Sequence, residues 1–194
     1  MIDPSEPFKQ VIPVVASDRC GRSLPRLCSP ARFYEASALL EASFRPVIVT
    51  GFYVPSAGAP ESDGPAGAAV LARAMKLAGR QLIVATDRWN ERAVKACCQV
   101  MEVDEVLVTD EGSSVLDKRP DLVVFVERLG RACDGRYYNM RGEERWPCLW
   151  TYPTGEPTPW PACCRAGSVN GLGILLKRSG PCSRPWSPPA PSTA

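Results

Sequence analysis

Between Ala31 and Val126 short apolar, β-branched runs alternate with segments of helical spacing, and few folds accept that order. Val47-Ile48-Val49-Thr50, Gln81 to Thr86, Glu105 to Thr109 and Asp121 to Val126 are runs of the buried-strand kind. Between them lie helical patterns. Ala31 to Ser43 places Phe33, Ala36, Leu39 and Leu40 on one side. Pro65 to Gly79 opens with a proline tolerated in a first turn and ends on a glycine suited to a helix C-terminus. Asn90 to Val100 is a third helix, and a short one capped by Ser113 or Ser114 is closed off by Pro120. The pattern predicts an α/β fold: a three-layer, Rossmann-like, mostly parallel sheet from about Arg32 to Arg128, with helices on both faces. With strand order 3-2-1-4, the first and fourth strands are neighbours at the switch point where such sheets bind ligands. Their C-terminal ends are Thr50-Gly51 and Glu127-Arg128.

Composition divides the 194 residues into unlike parts. Residues 1–144 hold 18 Lys+Arg against 20 Asp+Glu, whereas residues 145–194 hold 5 against 1 and carry 10 of the 20 prolines and 4 of the 5 tryptophans. The expected organisation is an entry segment over 1–30, an α/β domain over 31–144, and an irregular Pro/Trp/Cys-rich tail over 145–194. That tail is expected to be disordered apart from one marginal strand at Gly173 to Leu176. The near-neutral total of +2 averages two compositions and points to neither nucleic acid nor membrane partners. No apolar run approaches the roughly 18–20 residues of a membrane span.

The chain contains no histidine. Ser-His-Asp and Cys-His catalysis, Cys2His2 zinc and an imidazole base are therefore excluded. Acid–base work falls to carboxylates, Lys, Tyr, Cys or metal-bound water. Nine cysteines without a Cys-x-x-Cys pair, and a start with no basic or apolar leader, fit reduced and mostly buried thiols in an intracellular compartment.

Two loops follow the two strand ends. The first carries Glu61-Ser62-Asp63-Gly64-Pro65-Ala66-Gly67-Ala68 just ahead of a helix start. Glu61 and Asp63 either cap that helix and complement its dipole, or bind a divalent cation or act as acid and base. The loop is neither a Gly-Lys-Ser/Thr phosphate loop nor a Gly-x-Gly-x-x-Gly fingerprint, so no nucleotide or organic cofactor is indicated. The second loop, Glu127 to Gly142, holds four Arg, two carboxylates, three Gly, Tyr137, Tyr138 and Asn139. Arginine forks suit carboxylate or phosphate, which points to a small anionic ligand.

Thr50-Gly51-Phe52, the Glu61-to-Ala68 run and Glu127-Arg128-x-Gly-Arg-x-x-Asp-Gly-x-Tyr-Tyr-Asn together resemble the C-terminal domain family of D-glutamate cyclase, over roughly residues 12–142. Asp18-Arg19-Cys20-Gly21 is a weaker echo of an entry segment. Ser62 stands where the family usually has threonine, which keeps a hydroxyl. The resemblance implies a mitochondrial matrix lyase of D-amino acid metabolism, converting D-glutamate to 5-oxo-D-proline plus water; with no targeting peptide visible, the cytoplasm is the other location. It also implies an alternative, a divalent-metal-dependent phosphatase acting on a phosphate ester. A third expectation is an inactive or regulatory truncated form. The resemblance implies a separate N-terminal domain, expected to be lacking here, and after Gly142 an acidic Gly-rich loop where this sequence has the Pro-rich tail.

Cyclisation needs a deprotonated α-amine to attack the γ-carboxyl carbon, with charge neutralised and an oxygen protonated as it departs. The expected catalytic residues are Glu127, Asp134 and Tyr138. Thr50, Gly51, Gly64, Arg128, Arg131 and Asn139 are expected to bind substrate. Glu61 and Asp63 are the candidate ligands of Mg²⁺ or Mn²⁺. The expected partner is D-glutamate or a phosphate ester, with no nucleic acid and no membrane, and with homo-oligomerisation left open.

Overall fold

Pro46–Thr50 is buried along its whole length, and the other strands are arranged around it. The computed structural model describes residues 6–15, 29–128 and 173–175. In chain order the elements are α1 (Glu6–Val15), α2 (Pro30–Ala42), β1 (Pro46–Thr50), β2 (Tyr53–Val54), β3 (Ala59–Pro60) and α3 (Asp63–Leu77). They continue with β4 (Ile83–Thr86), α4 (Glu91–Val100), β5 (Val106–Val108), α5 (Gly112–Leu116), β6 (Leu122–Val126) and β7 (Gly173–Leu175). The chain divides into two compact units, Met1–Ser43 and Phe44–Ala194.

In the first unit Ser29 caps α2, its hydroxyl accepting from the Arg32 N–H at 3.2 Å, with Pro30 opening the first turn. The expected stripe of Phe33, Ala36, Leu39 and Leu40 is half-buried. The rings of Phe8 in α1 and Phe33 in α2 meet at 6.2 Å.

In the second unit the sheet order is β5-β4-β1-β6-β7. The four strands β5, β4, β1 and β6 are parallel, in the 3-2-1-4 order expected from sequence, and β7 runs antiparallel along the outer edge of β6. Val47 faces Ile83 on one side and Val123 on the other, and Val49 faces Ala85 and Phe125. These side chains share one face, where Val115 of α5 joins Val47, Val49, Ala85 and Val123 in a buried cluster. Ile48, Val84, Val124 and Val126 point the other way, and α3 lies there, with Gly67 against Val126. The buried side of α3 is built from Ala68, Ala69, Ala72 and Met75, which lets helix and sheet approach closely. Helices therefore cover both faces, and the sheet follows the doubly-wound rule.

The local departures have physical causes. α5 is not capped by Ser113 or Ser114. Its N-cap is Glu111, because the Thr109 hydroxyl accepts from the Glu111 N–H at 3.0 Å and starts the turn earlier. α3 begins at Asp63, two residues ahead of Pro65, whose missing N–H still falls within the first turn. The long loop after β1 contains the β2–β3 hairpin, closed by the Ala57 N–H on Val54 O and the Gly58 N–H on Pro55 O. The expected disordered tail lies outside the described residues except for Gly173–Leu175, which forms a strand.

Two interactions pin the unit away from the strand ends that carry function. The Asp121 carboxylate accepts from the Phe44 N–H at 2.7 Å and the Arg45 N–H at 3.0 Å, tying the start of β6 to the start of β1. Lys76 of α3 bonds Asp104 at 2.7 Å and the Glu102 carbonyl. The bond to Lys76 holds the Asp104 carboxyl below its ordinary range, so this link is complete at neutral pH and is lost only on acidification.

Asp121→Ala is expected to lower stability by about 1 kcal/mol, read from urea unfolding midpoints; an unchanged midpoint contradicts the tie. Cys98 is buried, and burial with Cys97 beside it pushes its thiol up to about 11. Iodoacetamide at pH 8 is therefore expected to leave Cys98 unmodified in the native protein and to label it in urea, read peptide by peptide by mass spectrometry. Native labelling of Cys98 at the denatured rate contradicts the packing.

Candidate functional site

At the C-terminal edge of the sheet three strand ends lie side by side: Thr50-Gly51 after β1, Thr86-Asp87 after β4, and Glu127-Arg128 after β6. Glu127 occupies the left-handed region at φ 45. For a residue with a Cβ this costs about 1 kcal/mol or more. Such strain persists only where the surroundings fix it. Here the next residue, Arg128, is buried and locked.

The lock is Asp87. Its Oδ2 accepts from Arg128 Nη1 at 2.5 Å, and the same Nη1 donates to the Gly51 carbonyl at 3.0 Å. The two side chains are 3 % and 6 % exposed. The other oxygen, Oδ1, accepts from the Trp89 N–H at 3.0 Å, the Asn90 N–H at 3.1 Å and Asn90 Nδ2 at 2.8 Å. Asp87 thus spends both oxygens, one on the turn into α4 and one on Arg128. Removing one partner of a buried pair leaves the other charge unpaired and costs about 3–5 kcal/mol.

Two glycines make room for this arrangement. Gly51 has φ 137, and a Cβ there would stand 2.8 Å from Asn90 Nδ2 and 2.9 Å from Arg128 Nη1. A Cβ at Gly64 would stand 2.9 Å from Glu127 Cβ and 3.0 Å from Thr50 Oγ1. The first turn of α3 therefore presses directly on the ends of β1 and β6. That contact brings the acidic loop to the switch point.

Glu61, Asp63 and Glu127 each offer a carboxylate oxygen, and the three oxygens lie within 4.8 Å of one another. Glu61 is set by its N–H on Phe52 O at 2.8 Å, across the β2–β3 hairpin. Asp63 does not cap α3 from the N-cap position, which Ser62 occupies. Its Oδ1 accepts from the Gly64 N–H at 3.0 Å instead. Three oxygens this close repel unless a cation or a proton sits among them, and the all-oxygen set fits a hard divalent cation such as Mg²⁺ or Mn²⁺. Beside the hairpin the Tyr53 ring packs on Trp89 at 5.4 Å, and the Arg88 guanidinium lies 5.4 Å from the Trp89 ring centroid.

Thr50 Oγ1, Thr86 Oγ1, Asn90 Oδ1, and Arg128 Nε and Nη2 are buried polar atoms without a partner among the described residues. The four residues flank one edge of the sheet. Buried polar groups are ordinarily satisfied, so a concentration of unsatisfied ones calls for a cause.

The sequence-nominated residues fall into two sets. Thr50, Gly51, Glu61, Asp63, Gly64, Glu127 and Arg128 are gathered around the ends of β1 and β6. Asp134, Tyr138, Arg131 and Asn139 lie outside the described residues. Sequence reasoning missed Asp87, just beyond the Gln81-to-Thr86 run, and Asn90, which it read only as a helix start. The available signal was local: an Asp at a strand end, three residues ahead of an Asn at a helix start, can close an Asx-type turn.

Among the described residues no helix is long and apolar enough to cross a membrane. Residues 11–145 match the family model described as D-glutamate cyclase-like, C-terminal. The human protein named D-glutamate cyclase, mitochondrial, is 26% identical over 161 residues, covering 72% of this chain. The chain spans about a quarter of that relative's length, the match covering 26% of it. The family match takes in the three strand ends, the acidic loop and Arg128, and the chain belongs to the D-glutamate cyclase-like, C-terminal family.

Proposed function

We propose that this domain acts on a small anionic substrate, and that its reaction is the ring closure of D-glutamate to 5-oxo-D-proline with loss of water. The observation that carries the proposal is the convergence of Glu61, Asp63 and Glu127 to within 4.8 Å beside the buried Arg128, all at the switch-point edge. Family membership and the printed name of the human relative support the reaction, and that name also supports a mitochondrial setting.

The chemistry asks little beyond positioning. The α-amine and the γ-carboxyl belong to one molecule, and a five-membered ring brings them together readily. Glu127 takes the ammonium proton, so that the neutral amine attacks the γ-carboxyl carbon. The attacked carboxyl loses one oxygen as water, which requires an oxyanion stabiliser and a proton donor. Arg128 and Arg131 are assigned to the substrate carboxylates, Tyr138 to the oxyanion, and Asp134 to proton transfer as the second carboxyl. Thr50, Gly51, Gly64 and Asn139 complete the substrate contacts. The left-handed backbone of Glu127 sets the direction in which its side chain leaves the chain, toward Gly64 and the acidic loop.

The carboxylate trio also favours a second reading, a phosphatase. Glu61, Asp63 and Glu127 would hold Mg²⁺ or Mn²⁺, which supplies an activated water and charge neutralisation when bound. Arg128 would then face the phosphoryl oxygens.

The purified chain incubated with D-glutamate is expected to yield 5-oxo-D-proline, and none from L-glutamate, by chiral chromatography. Glu127→Gln is expected to lower kcat by about 100-fold or more. Full activity in that variant removes Glu127 as the base. Mn²⁺-dependent hydrolysis of an aryl phosphate without D-glutamate turnover assigns the site to the second reading. Absence of both activities assigns the chain to an inactive or regulatory form.

A further inference from the structure

The two N–H bonds of Arg128 Nη1 are both committed, one to Asp87 and one to the Gly51 carbonyl. The guanidinium has five N–H bonds in a fixed plane. Nε–H and the nearer Nη2–H are parallel and form its side edge, and both nitrogens are buried and without a partner among the described residues. A complete bidentate edge is therefore left without a partner by an arginine that cannot turn, since Asp87 and Gly51 hold its other end. Parallel donors at this spacing match the two oxygens of a carboxylate or two of a phosphate.

The neighbouring unsatisfied atom is an acceptor. Asn90 Nδ2 donates to Asp87, which fixes the amide orientation and leaves Oδ1 buried and unpartnered. Asn90 Nδ2 and Arg128 Nη1 lie 2.8 Å and 2.9 Å from the point a Gly51 Cβ would occupy, so the Asn90 amide and the guanidinium flank the same glycine. A phosphate ester brings only acceptors on its phosphoryl oxygens and leaves Asn90 Oδ1 unsatisfied. A molecule carrying a carboxylate and an amine on one carbon satisfies both.

We infer that the Nε/Nη2 edge of Arg128 is the seat of the ligand's α-carboxylate, that Asn90 Oδ1 accepts from its α-amine, and that Asp87 is the positioning residue holding both. The inference deepens the proposed function and rests on it for the choice of an amino acid. It adds that the α-amino acid head, not the side-chain carboxylate, occupies the buried end of the site.

Calorimetric titration of the purified full chain with four compounds tests this without any substitution. D-glutamate is expected to bind about tenfold or more tightly than either glutarate, which lacks the amine, or 4-aminobutyrate, which lacks the α-carboxylate. Inorganic phosphate is expected to bind more weakly than D-glutamate. Asp87→Asn, with the same shape and no charge, is expected to erase the preference for D-glutamate over 4-aminobutyrate while circular dichroism stays native. Arg128→Lys, which keeps charge but loses the fork, is expected to erase the same preference. Equal binding of D-glutamate and 4-aminobutyrate by the native chain overturns the seat, even if D-glutamate is turned over. Phosphate binding tighter than D-glutamate overturns it as well. The expected ranking without turnover leaves the seat standing and removes the cyclase reaction instead. If Asp87→Asn fails to fold, the ranking on the native chain and on Arg128→Lys decides.

Discussion

One buried ion pair, Arg128 with Asp87, organises the functional edge of this protein. A charged pair deep in an apolar sheet is a poor way to gain stability, because desolvation offsets most of the attraction. Its effect here is geometric. It fixes the second residue after β6 against the residue after β4, with the Gly51 carbonyl sharing the same guanidinium nitrogen. Three strands separated in sequence are thereby joined where the sheet opens. The left-handed turn at Glu127 and the open backbone of Gly51 are the local accommodations. Without the pair, neither has a structural reason.

The acidic loop reaches the same place by a different route. α3 packs on the sheet through alanines and glycines, so its first turn comes within contact distance of Thr50 and Glu127. A larger residue at Gly64 would lift that turn and separate Asp63 and Glu61 from Glu127. Close packing and site assembly are one event in this part of the fold. The fixed arginine and the cluster of carboxylates have complementary charge, which suits a ligand bearing both an anionic and a cationic group.

Much of this architecture was legible in the sequence. Strands buried on both faces leave continuous β-branched runs, so Val47–Thr50, Gln81–Thr86 and Asp121–Val126 stood out, and the 3-2-1-4 order assumed for them is the order found. The β2–β3 hairpin was not legible, because strands of two residues show no period. The start of α5 was misplaced because Thr109, outside the helix, initiates its turn. The switch-point loops were recognisable by residue type, and Glu61, Asp63, Gly64 and Glu127 do come together. Asp87 was invisible as a site residue because its partner lies 41 positions away. A charge pair at that separation leaves no local pattern, and only the parallel sheet brings it together.

Asp87 holds Arg128 with one donor edge unpartnered among the described residues and available to a ligand. In ¹⁵N-labelled protein a buried Nε–H exchanges slowly with water, and its signal is assigned to Arg128 by its loss in Arg128→Lys. Titration with D-glutamate is expected to shift that one Nε–H signal progressively and slow its exchange, with no such shift in Asp87→Asn. An Arg128 Nε–H signal that stays in place at saturating D-glutamate shows that the edge takes no ligand.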